Sequence, residues 1–232
     1  MKRASTTSFE ADEDGGVWPR GWRLTAVAAL CVCLMTAALL LFYGAGEAGL
    51  RSAIRNTART SFVLFLAGFT GPALAALRPA LAARRLAARQ SHLFAAFAAS
   101  HLVHAAAIFA LAWQTRGASM EGRGAHELAA GGLVYLCILA SAAPAFPRAA
   151  RWLASHAKAR VARTAGLYLV WLTFADSYGG RAARSIFYAP FALALLAALA
   201  LRLLAATARR AADPSRPGAP HDLKHHESRA GL

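Results

Sequence analysis

The chain has 232 residues, of which 57% are hydrophobic and only 16% charged, whereas soluble domains average roughly 25% charged. Its net charge is +15, but the 26 Lys and Arg residues lie between apolar runs rather than in one basic domain. Composition therefore argues against a soluble domain and against nucleic-acid binding, and points to a membrane protein whose partner is the lipid bilayer.

The first stretch, residues 1–21, contains STTSFEADEDGG, which is polar and acidic with almost nothing to bury, and predicts a disordered tail. A membrane-crossing helix needs about 20 apolar residues. Six runs meet or approach that length: about 24–43, 60–77, 93–113, 128–146, 161–178 and 186–206. The first is too long for a signal-peptide core and lacks a small-x-small cleavage site, so it reads as a helix. The fifth is the weakest, because Arg163 and Asp176 stand near its ends. Arg202 near the end of the sixth is expected to snorkel to the headgroups. Cys31, Cys33 and Cys137 fall within apolar runs and read as small buried hydrophobes. Residues 209–232 predict a second disordered tail, and its HDLKHHE cluster reads as solvated chain rather than a metal site. The fold class expected is all-α, a six-helix transmembrane bundle over residues 22–208.

Basic residues give the direction. With the N-terminus in the cytoplasm, 19 of the 26 Lys and Arg residues fall on the cytoplasmic side. The positive-inside rule thus places both termini in the cytoplasm. Abundant Ala and Arg with little Lys suggest a GC-rich bacterial genome, and hence the bacterial inner membrane.

Two histidines break the third apolar run, FAASHLVHAAAIFALAW. At 1.5 Å per residue His101 lies roughly 12 Å past Leu93, and His104 about 4.5 Å further, near the middle of a hydrocarbon core about 30 Å thick. Positions three apart share a helix face, here joined by Phe97 and Ser100. Ionisable residues at this depth face the bundle interior. Three readings stay open: ligation of a haem iron, hydrogen bonding to a neighbouring helix, or a proton or ion relay. Two imidazoles on one helix face cannot occupy opposite axial positions of one iron. His92, His126 and His156 fall at or outside the membrane boundary and read as headgroup-facing loop residues. A boundary ion pair is expected for Asp176 with Arg181 or Arg184, and Arg59 is placed at the outer start of the second helix.

Three stretches go further: RNTARTSFVLFLAGFTGPAL, with Arg59 and Thr60; RRLAARQSHLFAAFAASHLVHAAAI, leading into His101; and RWLASHAKARVARTAGLYLVWLTF, with Gly166, Tyr168 and Trp171. Together, from about Arg55 to Leu201, the chain resembles the ferric-reductase-like transmembrane domain family. That family includes the haem-bearing membrane subunit of the periplasmic methionine-sulfoxide reductase system. The resemblance implies a six-helix bundle that binds haem b and passes electrons across the membrane, with ligands from the third and fifth helices. His101 matches the third-helix ligand position, and His104 is the adjacent candidate. In the fifth helix, Arg163 or Thr164 and Asp176 or Ser177 stand where the family has histidines. This leaves a five-coordinate haem on His101 or His104, a haem with a second ligand from elsewhere, or no haem.

Three functional readings follow, the third being a transporter, for which Pro72, Pro144 and Pro190 are the helix-breaking hints. The first is a haem b electron-transfer subunit with no flavin or nicotinamide domain of its own. It would take electrons from a quinol or flavoprotein and serve a periplasmic partner, whether or not it is itself an oxidoreductase. The second is a cofactor-less structural or partner-binding membrane protein that keeps the fold but has lost the fifth-helix ligands.

Overall fold

The computed structural model describes residues 20–118, 121–122 and 124–212. The tails expected to be disordered, including HDLKHHE, lie outside these residues, except that the first helix starts at Arg20 and the last runs on to Ala211. Eight helices follow in order: α1 (Arg20–Tyr43), α2 (Glu47–Leu77), α3 (Leu81–Ala88), α4 (Gln90–Gln114), α5 (Ala125–Ala142), α6 (Pro147–Ser155), α7 (Ala157–Ala182) and α8 (Ala189–Ala211). There are no strands among the described residues.

Local chemistry sets many of the boundaries. Gly44, at φ +83°, makes the turn out of α1, and a Cβ at Gly49 would run into the Gly44 carbonyl oxygen. Arg78 is extended before Pro79, which ends α2. Prolines open α6 and α8, where a missing N–H costs nothing. α3 and α6 are short, bury no residue, and carry Arg84, Arg85, Arg148 and Arg151, the pattern of helices that lie on a membrane surface.

Five helices are long and apolar enough to cross a membrane: those containing residues 21–43, 47–77, 90–114, 125–145 and 186–211. Their outward faces carry Val27, Leu30, Leu34, Leu102, Phe109, Leu133, Leu136, Leu193, Leu196 and Leu203, each more than half exposed. A water-soluble fold does not leave so continuous an apolar surface uncovered. The chain is a multi-pass helical membrane protein. α7, with 26 residues, is long enough but carries Lys158, Arg160, Arg163, Asp176 and Arg181, and is not one of the five.

α2 and α4 form the centre. They run antiparallel, joined by a fully buried Ser61–Ser100 hydroxyl pair at 2.8 Å. α1 packs across both, donating from Thr25 to the His92 carbonyl. α7 threads between α5 and α8, and its aromatic face runs antiparallel to α2: Tyr168 meets Phe69, Phe174 meets Phe65 and Phe62, and Tyr178 meets Phe62. α8 runs back beside α2, with Phe191 against Phe62 and Arg202 against Phe69. Phe65, Phe69, Phe94 and Phe97 are wholly buried at the centre of this aromatic core. One end of the bundle holds α3, α6 and the start of α7, and is called the basic end below. The α1–α2 turn lies at the opposite end.

Several expectations are corrected. The second helix begins at Glu47, not near residue 60, so Arg59 lies well inside it and stacks 5.1 Å from the Phe187 ring. Arg202 does not snorkel: it donates to the Phe69 carbonyl at 2.9 Å and to the Tyr168 hydroxyl at 3.2 Å. Asp176 is not in an ion pair with Arg181 or Arg184, and the ion pair among the described residues is Arg51–Glu47. Cys31 and Cys33 face outward on α1, and only Cys137 is half-buried. His92 is no loop residue: its ring packs edge-on against Trp22 and fills the space beside Gly21. His126 is exposed, as is His156, which stands just before α7 with its ring turned back to the Trp152 carbonyl.

Candidate functional site

His101 and His104 line one cavity of about 540 Å3. α4 supplies His101 and His104, α2 supplies Ile54 and Ala58, α5 supplies Ile138, and α7 supplies Phe174. Arg51, Arg55 and Arg181 border the same cavity. Arg51 and Arg55 fall in the first turns of α2 and Arg181 in the last turn of α7, so this guanidinium rim sits at the end away from the basic end. The volume falls within the 300–1,000 Å3 range of small-molecule and cofactor sites, and the mix of apolar walls with a few polar groups is typical of them.

The two imidazoles are held differently. Nδ1 of His104 lies 3.1 Å from the Ile54 carbonyl oxygen and 3.0 Å from the Thr57 hydroxyl. A carbonyl can only accept, so Nδ1 carries the proton and donates to it. The Thr57 hydroxyl donates to the Ala53 carbonyl at 2.7 Å and is free to accept from the ring. Nε2 of His104 is then the unprotonated nitrogen, able to take a proton or a metal ion. A backbone carbonyl on the far nitrogen is the usual support of a ligating histidine. His101 has no such tether: its Nδ1 is buried with no hydrogen-bond partner. Its ring lies 5.1 Å from that of His104, 5.1 Å from Tyr135 and 5.3 Å from Phe97. The Tyr135 hydroxyl is a second buried polar atom without a partner.

The donor set limits what the cavity can hold. No group of three or more His, Cys, Asp or Glu side chains comes together among the described residues, so a bare metal ion has no ligand set there. A haem held through a single imidazole is compatible with the residues present: one tethered ring, an unpartnered second ring beside it, apolar walls, and arginines where carboxylates would emerge. A haem held from two sides is not, because α7 faces the cavity with Val170, Thr173, Phe174, Ser177 and Tyr178 and no imidazole.

The structure thus brings His101 and His104 together and leaves His92, His126 and His156 elsewhere. Sequence reasoning misses Arg51, Arg55, Thr57 and the Ile54 carbonyl, because it takes the start of α2 for a loop. The signal is present: Arg51, Arg55 and Arg59 recur every four residues, while Leu50, Ala53 and Thr57 follow another face, an amphipathic helical pattern.

No family model, curated protein or solved structure matches the chain.

Proposed function

We propose that the chain is a six-span membrane subunit of the ferric-reductase-like kind that holds one haem b and passes electrons. The observation that carries the reading is the shared cavity: two midplane imidazoles on its wall and three guanidinium groups on its rim. His104 would hold the iron, with the Ile54 carbonyl fixing its tautomer. His101, the residue matched to the ligand position in sequence, takes the neighbouring role. Arg55 and Arg181 would hold the carboxylates, Arg51 being already paired with Glu47, and Ile138, Val170 and Phe174 would keep water out. When bound, haem supplies a one-electron couple within the membrane. A quinol or flavoprotein donor and a periplasmic partner complete the chain of transfer.

The sixth span is α7. Its aromatic face packs along α2 from Phe69 to Phe62, about 10 Å of that helix, which supports a place among the spans despite its charges. Both termini then share the basic side, and the positive-inside rule makes that side cytoplasmic in a bacterial inner membrane.

The test is the iron and haem content of the full chain, expressed with haem supplementation and purified in mild detergent, with reduced-minus-oxidised spectra. One haem per chain is expected. His104→Gln keeps an N–H for the Ile54 carbonyl and is expected to give folded, haem-free protein, while His101→Gln retains haem with an altered spectrum. A flat Soret region in folded wild-type protein rules the proposal out.

One observation favours the second reading, a cofactor-less bundle. His104 already has partners on α2, and interhelical bonds of this kind serve as structural glue worth roughly 0.6 kcal/mol each.

A further inference from the structure

The bundle has a second recess, outside the histidine cavity and at the basic end. It holds about 350 Å3 between α5, α6 and α7. Leu136, Cys137 and Ala140 line it from α5, Trp152 and Leu153 from α6, and Arg163 from α7. Among the described residues, Arg163 is the one charged group on its wall.

That guanidinium lacks an acceptor. Nη1 of Arg163 is closed off from solvent and donates to nothing among the described residues. Its charged neighbour is Arg202, which repels it and is itself committed to the Phe69 carbonyl and the Tyr168 hydroxyl. The carboxylates among the described residues are Glu47, Glu121, Glu127 and Asp176, and all stand at the other end of the bundle. Even Asp176, on the same helix, is about 20 Å along the axis. A planar group with five donors, beside a second cation and far from any described carboxylate, suits an anion from outside the fold.

Position says which anion. The recess opens beside α6, which buries no residue and carries Arg148, Arg151 and Trp152. Arg160 ties α6 to α7 by donating to the Leu153 and Ala154 carbonyls, and Trp152 stacks on His156 at 4.6 Å. Tryptophan with arginine on a short surface helix belongs at headgroup depth. A free phosphate would meet the guanidinium but leave the apolar walls bare, whereas a lipid covers both. We infer that the recess between α5, α6 and α7 binds one anionic phospholipid, with its phosphate on Arg163 and an acyl chain along Leu136, Ala140 and Leu153. The site is independent of whether haem is bound.

Native mass spectrometry of the full chain in detergent tests this, with separate titrations of phosphatidylglycerol, phosphatidylcholine and inorganic phosphate. One phosphatidylglycerol per chain is expected at about tenfold lower concentration than phosphatidylcholine, since basic residues near the surface favour anionic lipid, and no phosphate adduct. Arg163→Gln removes the preference. Ala162→Phe fills the recess with the guanidinium intact and weakens both lipids, so it decides the matter should circular dichroism show that Arg163→Gln does not fold. Equal retention of the two lipids, an unchanged preference in folded Arg163→Gln, unweakened binding in Ala162→Phe, or a phosphate adduct in place of lipid overturns the inference. So does lipid binding that appears only after Glu10, Asp12, Glu13 and Asp14 are neutralised, because the occupant is then the chain's own acidic segment.

Discussion

Pro72 sits inside α2 and has no N–H, so the helix cannot bond the Gly68 carbonyl from within. The side-chain amide of Gln90, on α4, donates to that oxygen at 3.0 Å. Gln90→Leu therefore leaves a carbonyl unpaired where the bilayer offers little water to replace the donor. An unmade bond of this kind costs about 1–3 kcal/mol, and interhelical bonds in membranes average about 0.6 and reach about 1.7. We expect Gln90→Leu to cost about 1–1.5 kcal/mol, or roughly a tenfold loss in the folding equilibrium. Pro72→Ala restores an N–H at residue 72, which takes the Gly68 carbonyl itself. In that background the same Gln90→Leu change should cost less than about 0.5 kcal/mol, because no orphan carbonyl is left. Reversible unfolding of the four chains in bicelles by added dodecyl sulfate, followed by circular dichroism, gives the cycle. A Gln90→Leu cost that is the same in the Pro72→Ala background as in the wild-type chain refutes the reasoning, because the amide would then matter for some reason other than the proline.

Phe65 is wholly buried against Phe69, Phe94, Phe97 and Phe174, so Phe65→Ala should cost about 3–5 kcal/mol in the same unfolding assay. Arg202→Met should cost about 1–3 kcal/mol through the bonds lost to Phe69 and Tyr168, and Arg202→Lys should recover only part, since an ammonium cannot reproduce the forked geometry; full recovery would contradict this. For the crossing of α7, single cysteines at Ser155 and Ser185, introduced after Cys31, Cys33 and Cys137 are changed to alanine, should label with an impermeant maleimide from opposite faces of the membrane. Labelling from one face would remove α7 from the set of spans.

The all-α, membrane-spanning character is legible because apolar runs of nearly 20 residues admit few other structures. What cannot be read comes from residues whose meaning depends on a neighbour. Arg51, Arg55 and Arg59 look like loop charges until α4 gives the opposite face of the helix, with Leu50, Ala53 and Thr57, something to pack against. Arg202 looks like a headgroup ligand until the Phe69 carbonyl and Tyr168 hydroxyl come within reach. α3 and α6 are too short to show a clear period and look like basic loops in sequence. The histidines are legible as a pair facing inward. The difference between them is not, because it rests on the Ile54 carbonyl of another helix.

The lack of an imidazole on the α7 wall of the cavity and the packing of the core bear on the same question. Toward the basic end, the space among α2, α4, α7 and α8 is taken by Phe65, Phe69 and Phe94, with Tyr168 and Arg202 closing over Phe69. Gly68 lets the Phe94 ring lie against α2, where a Cβ would come within 3.1 Å of it. Arg163 lines the recess toward α5 and α6 instead. Toward the other end the bundle opens around His101 and His104. His101 and His104 line this one cavity, while aromatic side chains fill the interior toward the basic end.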